Sequence, residues 1–261
     1  MIQTIYRALI ELTNGKWTSY LLKKLATSKL SRLLIPSFAK IYQLNKQEME
    51  FPLNHYATLH DLFVRKLKAD ARKINDETNS VISPVDAVIE DIGEIEANNQ
   101  IIVKGKVYSV SEMIGSDEHL QKYLNGTYMI FYLSPSHYHR IHSPASGKIT
   151  DHWTLGNKSF PVNKLGLKYG KSPLSKNYRK ITEMQHERGH IAIVKVGAMF
   201  VNSIELTYEQ VQLTKGQEIA YFTFGSTVVL LFEKNTFQVC PLLQVPMNIK
   251  VGEKIGHFIT K

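Results

Sequence analysis

The segment Phe224-Gly225-Ser226-Thr227 lies inside a run of β-forming residues, with Tyr221 and Phe222 before it and Val228 to Phe232 after it. A serine hydroxyl can attack the carbonyl of the residue before it, and a glycine there leaves the backbone free to bend toward the hydroxyl. Serine is a poor nucleophile unaided, so the reaction needs a base and a carboxylate that orients the base. His142, in Tyr138-His139-Arg140-Ile141-His142-Ser143-Pro144, and Asp86, in Ser83-Pro84-Val85-Asp86, supply those types in the chain order Asp, His, Ser. Each residue alone has a plainer use. A Gly-Ser pair in a strand commonly marks a bulge, an aspartate after Pro-x caps a turn, and His137, His139 and His142 could ligate a metal. The histidine stretch lacks neighbouring cysteines or acids, so no metal is expected, and the combination points to a Gly225–Ser226 bond cut by its own chain.

Residues that must meet across so much sequence need a rigid frame. From about residue 81 short β-rich runs recur, at 81–82, 88–89, 101–103, 128–133, 191–196, 201–206, 227–232 and 237–239, separated by Gly, Pro or Asn. Brief helices are expected near 109–114 and 118–124, and Leu59, Leu62, Phe63 and Leu67 predict another over 59–67. With 261 residues, 43% of them hydrophobic, the chain can bury a normal core. Cys240 is the lone cysteine, which excludes an internal disulfide and suits a reducing compartment.

The net charge of +9 is unevenly spread. Residues 1–44 carry Arg7, Lys16, Lys23, Lys24, Lys29, Arg32 and Lys40 against the single acid Glu11, so most of the excess sits there. In the same segment Ile2, Ile5, Leu9 and Leu12, then Trp17, Leu21 and Leu25, recur near helical spacing, which predicts basic amphipathic helices. Such helices either cap the protein's own core or lie on an anionic membrane surface. No stretch approaches about 18 uninterrupted apolar residues, and no compact apolar segment precedes a small-residue cleavage site, so neither a membrane span nor a secretory leader is expected. No nucleic-acid motif accompanies the charge, and no nucleic acid is expected as a partner.

Several ordered motifs resemble the phosphatidylserine decarboxylases. They are Asp61-Leu62-Phe63-Val64-Arg65-Lys66-Leu67, Ser83-Pro84-Val85-Asp86, Val103-Lys104-Gly105-Lys106-Val107-Tyr108-Ser109, Tyr138 to Gly147, Phe160-Pro161-Val162-Asn163, Lys215-Gly216-Gln217-Glu218 and Phe224-Gly225-Ser226-Thr227. The resemblance spans essentially the whole chain and is to the short bacterial form. It implies a pyruvoyl-dependent carboxy-lyase that is also its own endoprotease. In that scheme Asp86 supports His142, His142 takes the hydroxyl proton, and Ser226 attacks Gly225, leaving a large chain 1–225 and a small chain 226–261. The cofactor would be a pyruvoyl group derived from Ser226, with no metal and no pyridoxal phosphate. It would form a Schiff base with phosphatidylserine and release CO2 to give phosphatidylethanolamine, with His139 as candidate proton donor and His142 as the alternative.

The resemblance further implies a peripheral protein at the cytoplasmic face of the cell membrane, and it is compatible with a homodimer. The fold expected is α+β: N-terminal amphipathic helices, in a membrane-associating region 1–75, packed on a mostly antiparallel β domain 76–261 with barrel-sandwich-like features. Ala87 stands where the family commonly has glycine, Phe224 where leucine is familiar, and His186-Glu187-Arg188 resembles the family's Asn-Glu-Arg. Two other readings stay open. Val245 to Gly256 is similar to barrel-sandwich carriers of biotin or lipoate, with Lys250 as the residue to modify, and a Ser-His-Asp hydrolase acting on an external substrate would use the same triad. Lys250 is separated from Met247, however, and no Gly-x-Ser-x-Gly elbow surrounds Ser226.

Overall fold

The computed structural model describes residues 24–198, 204–223 and 226–259. Most of the amphipathic N-terminal pattern, the start of the run over 201–206, and Phe224 and Gly225 lie outside the described residues. The protein is α+β, 20% helical and 38% strand, with mostly antiparallel sheets and, among the described residues, no closed barrel.

Helices α1 (Ile35–Ile41) and α2 (Leu59–Phe63) precede the strands. The Thr58 hydroxyl accepts from the Asp61 N–H and starts α2. The helix ends at Phe63 and not at Leu67, because the chain straightens so that Leu67 pairs with Met49 and the Arg65 side chain turns inward. Next come β1 (Ser80–Ile82), β2 (Ala87–Glu94), β3 (Gln100–Val103), β4 (Lys106–Ser109), α3 (Val110–Ile114), α4 (Asp117–Tyr123) and β5 (Thr127–Leu133). They are followed by β6 (Arg140–His142), β7 (Gly147–Leu155), α5 (Lys164–Tyr169), α6 (Pro173–Lys176), β8 (Arg179–His186) and β9 (Gly189–Gly197). The chain continues through β10 (Ile204–Leu206), β11 (Gln212–Leu213), β12 (Glu218–Phe222), β13 (Ser226–Phe232), β14 (Phe237–Val239), β15 (Met247–Ile249) and β16 (Lys254–Phe258).

An eight-stranded sheet of order β11-β7-β8-β9-β13-β5-β2-β15 is the central layer. On one face Phe131, Met184, Ile193, Val228 and Leu230 pack against residues of two three-stranded sheets, among them Ile141, Phe222 and Phe258. On the other, Ile130, Val194, Val229 and Leu231 pack against helical Val110, Met113, Leu120 and Leu167. The seven residues of β13 are all buried, which is why its sequence is apolar on both faces after Ser226-Thr227 and does not alternate.

The pairing scheme occurs twice. Strands β1-β2-β5-β13-β14-β15-β16 form one unit and β6-β7-β8-β9-β10-β11-β12 the other, and corresponding strands pair alike. The β2–β5 ladder is irregular between Ile89 and Asp91, and the β7–β8 ladder between Ile149 and Asp151. Cys240 N–H donates to Ile255 at 3.0 Å just as Thr207 N–H donates to Ile219 at 3.0 Å. The second unit is inserted into the first between β5 and β13. Where the second unit joins β8 to β9 by the turn His186–Gly189, the first opens to admit the whole insert, and Ser226 begins the strand on its far side.

Candidate active site

The two units meet through a pair of matching Ser-Pro turns. In each, the serine hydroxyl donates two residues ahead, Ser83 to the Val85 carbonyl and Ser143 to the Ala145 carbonyl, both at 2.7 Å. The turns then exchange backbone bonds: Ile82 N–H donates to Pro144 at 3.0 Å and His142 N–H to Pro84 at 2.8 Å. Asp86 closes the first turn and His142 precedes the second, so this exchange brings the two sequence-predicted residues to one seam.

The Asp86 side chain is bound elsewhere. Its Oδ1 accepts from Arg72 Nε at 2.8 Å and from the Val251 N–H at 2.9 Å, and its Oδ2 accepts from Arg72 Nη2. Arg72 in turn reaches Glu48 at 2.8 Å. His142 Nδ1 lies 2.7 Å from the Gly216 carbonyl, which can only accept. Nδ1 therefore carries the proton and Nε2 the lone pair, 3.3 Å from the Tyr138 hydroxyl. Burial pushes the His142 pKa down, opposed by the Gly216 carbonyl and by the charges of Glu218 and Asp86. The imidazole is a neutral base at neutral pH.

Ser226 is fully buried and its Oγ has no hydrogen-bond partner among the described residues. A buried, unpartnered hydroxyl is costly, and such positions concentrate at reactive sites. Ser226 opposes Leu133, while Thr227, Tyr132 and Val88 form one row across β13, β5 and β2. Asp86 thus lies at the same end of the sheet two strands across, about 10 Å away by ordinary strand spacing. His139 is also fully buried; its Nδ1 lies 2.9 Å from the His137 carbonyl, and its Nε2 has no partner among the described residues. Burial holds the His139 pKa well below its ordinary value. Its ring packs on Phe63 with centroids 4.0 Å apart, and its carbonyl accepts from Phe222, four residues before Ser226.

The fold therefore gathers Asp86, His142, His139 and Ser226 at one end of the central sheet but does not join them in a hydrogen-bonded relay. Arg72 holds the carboxylate, and Gly216 orients the imidazole. Neither role is legible in the sequence: Gly216 acts through a backbone carbonyl, and nothing local marks Arg72 as the partner of Asp86. Tyr138, at the start of the Tyr138–Gly147 motif, places its hydroxyl 3.3 Å from the lone pair of His142, a contact that only the fold reveals. Among the described residues no three His, Cys, Asp or Glu side chains converge as a metal site. His137 Nδ1 is occupied as acceptor of the Ser134 N–H at 3.0 Å. Lys250 makes an ion pair with Glu48 at 2.9 Å.

The site stands in a chain with many relatives. The sequence profile of the phosphatidylserine decarboxylase family matches residues 59–257. The chain is 62% identical over 257 residues to a phosphatidylserine decarboxylase proenzyme of Geobacillus sp., covering 98% of this chain and 99% of that protein. It is 57% identical over 261 residues to a protein of the same name from Anoxybacillus flavithermus, covering 100% and 98%. A Bacillus cereus protein of that name is 56% identical over 256 residues, covering 98% of each. The chain belongs to the phosphatidylserine decarboxylase family.

Proposed function

We infer that the protein cuts itself between Gly225 and Ser226 and then decarboxylates phosphatidylserine to phosphatidylethanolamine. The observation that carries this reading is the fully buried Ser226 hydroxyl, unpartnered among the described residues, at the start of a central strand in a chain whose relatives are named proenzymes. His142 Nε2 takes the hydroxyl proton as Ser226 Oγ attacks the Gly225 carbonyl; the Gly225–Ser226 C–N bond breaks, giving an ester and a free amine. Loss of the Ser226 α-proton with cleavage of its Cβ–Oγ bond then frees chain 1–225 as a carboxylate. Water replaces the nitrogen of the remaining dehydroalanine, releasing ammonia and leaving a pyruvoyl group.

The residues present fit that group: an orphaned hydroxyl at the start of β13, within a water-excluding core. When formed, a pyruvoyl group supplies an electron sink for the electrons left as CO2 departs. The chain's own residues exclude water, hold the serine head group and return a proton: His139, at the same end of the sheet, is the donor assigned, its Nε2 first taking the proton that the substrate ammonium gives up and then handing it back, and His142 is the alternative. Asp86 fixes the seam through Arg72 and Val251 and biases His142 by its charge. The small chain stays in place without a covalent link, since β13 pairs along its length with both β5 and β9.

Residues 1–75 are assigned to the membrane. Leu30, Leu33 and Ile41 are 73%, 81% and 72% exposed beside Lys29, Arg32 and Lys40, a pattern suited to lying on anionic lipid. No helix among the described residues is long and apolar enough to cross a membrane. A peripheral position on the cytoplasmic face of the cell membrane follows from this reading, with the catalytic region at 76–261. The test is intact mass together with CO2 release from carboxyl-labelled phosphatidylserine. Two fragments, the smaller blocked at its N-terminus and reactive toward hydroxylamine, are expected, and an active single unbroken chain would overturn the reading.

A further inference from the structure

Arg65 is buried to 5% exposure, yet among the described residues no carboxylate pairs with it. Its Nη2 donates to the carbonyls of Ser136 and His137 at 3.0 and 3.1 Å, its Nη1 only weakly to Leu62 at 3.4 Å, and its Nε to no group among the described residues. Arg179 shows that carbonyls alone can satisfy a buried guanidinium: its Nε, Nη1 and Nη2 each donate to one, at 2.7, 2.9 and 2.6 Å. Arg65 is not satisfied in that way. Burial depresses its pKa, the direction expected of a cation short of an anion.

Tyr56, 6% exposed, has a second unpartnered buried polar atom, its hydroxyl. Burial raises the Tyr56 pKa and keeps the phenol protonated, and the Phe51 N–H approaches the oxygen without making a well-formed hydrogen bond, which leaves the phenolic proton free to donate. Tyr56 and Arg65 line the same cleft of about 570 Å³, with Lys66 and Arg140 on its wall. Arg140 is already neutralised by Glu218 at 2.7 Å. The acids on the cleft, Glu50 and Asp61, are exposed or half-exposed, so water screens them more than it screens Arg65.

We propose that this cleft is an anion subsite that takes the phosphodiester of the phospholipid substrate, with Arg65 and Tyr56 as binding residues; the assignment rests on the decarboxylase reading above. Its position suits the task. The carbonyls that Arg65 grips belong to the turn continuing from Leu133, the residue opposite Ser226, so one short turn links the cleft to the strand that pairs with the nucleophile. The cleft's other end meets lipid-facing surface: Arg32 donates to the Asn54 carbonyl at 3.0 Å and the Leu59 N–H to Ser31 at 2.9 Å, which ties the exposed leucines to the lip of the cleft. A phospholipid, and not free phosphate, is the source these contacts favour.

The test titrates glycerophosphoserine and, separately, inorganic phosphate into wild type, Tyr56→Phe, Arg65→Lys and Arg65→Gln, with KM and kcat for a soluble short-chain phosphatidylserine measured in parallel. Tyr56→Phe and Arg65→Gln are expected to weaken glycerophosphoserine binding about tenfold and raise KM alike, with a much smaller change in kcat. Arg65→Lys should recover part of the loss, and inorganic phosphate should bind wild type more weakly than glycerophosphoserine. Equal binding of inorganic phosphate with KM unmoved by the variants would mark a free-phosphate site and overturn the assignment. Unaltered glycerophosphoserine binding in Tyr56→Phe and Arg65→Gln, in an enzyme that decarboxylates normally, would remove the subsite alone. Tyr56-dependent binding in a chain that releases no CO2 would support the subsite and sink the decarboxylase reading.

Discussion

The His142 backbone N–H donates to the Pro84 carbonyl at 2.8 Å, which clamps the strand bearing the candidate base to the turn bearing Asp86. The clamp joins residues from two different repeats of the same β unit. The site is thus built at an internal joint, where a shift of either unit moves the base relative to the nucleophile.

Self-cleavage should fail when its reacting groups are removed. Ser226→Ala is expected to remain full length, and His142→Ala to be slowed by about 10²- to 10⁴-fold, the usual worth of a positioned base. Asp86→Ala should also accumulate the uncut chain. His139→Ala should be cut yet turn over slowly; an uncut His139→Ala chain would move His139 into the processing step. Denaturing gels and intact mass read all four.

Arg72→Gln should destabilise the protein. It removes the cation shared by Asp86 and Glu48, whose side chains are 8% and 23% exposed, while the Arg72 side chain itself is 10% exposed. Stranding a mostly buried carboxylate costs about 3 kcal/mol. A urea midpoint indistinguishable from wild type would show that the pair is dispensable.

Acid should destabilise the protein before most carboxylates titrate. Burial lowers the pKa of His137, His139 and His142, so the unfolded chain binds protons that the folded chain refuses. A depressed folded-state pKa gives stability that is complete above the unfolded value, about 6.5, and is lost as pH falls through the folded one. The histidines' share of the denaturation midpoint should therefore be constant above about pH 6.5 and decline below it. A flat profile from pH 7.5 to 5 would contradict the burial of these rings.

Lys195 gives a second slope at higher pH. It is fully buried in β9, its Nζ donating to Thr182 Oγ1 at 2.8 Å and to the Ile193 carbonyl at 3.2 Å, and burial lowers its pKa to about 7. The unfolded value is about 10.4, so stability should be full above that pH and fall as pH drops toward 7. Lys195→Met keeps the shape without the charge. It should flatten that slope and stabilise the protein at pH 7 by about 1–3 kcal/mol; an unchanged slope would exclude Lys195 as its source.

The apolar run of β13 and the positions of β1, β3 and β5 were legible because buried strands declare themselves by continuous β-forming residues. The half-exposed strand β7 and the buried but charge-bearing strand β8 were not. Their segments, such as Gly147-Lys148-Ile149-Thr150-Asp151-His152, interleave charges that dilute any apolar run. The duplication left a trace in Ser83-Pro84 and Ser143-Pro144, and in Gly252 to Ile255 and Gly216 to Ile219, but such short matches become meaningful only once the pairing is known.

By itself the sequence determined the reacting residue types, their order, and the ordered motifs of the family, because these are properties of single positions and short segments. Only the tertiary structure decided that Asp86 turns to Arg72, that Gly216 sets the tautomer of His142, and that Arg65 is buried with no carboxylate paired to it among the described residues. Those partnerships join residues distant in the chain. They depend on strand register and on which groups burial strips of water, and neither is encoded in any one segment.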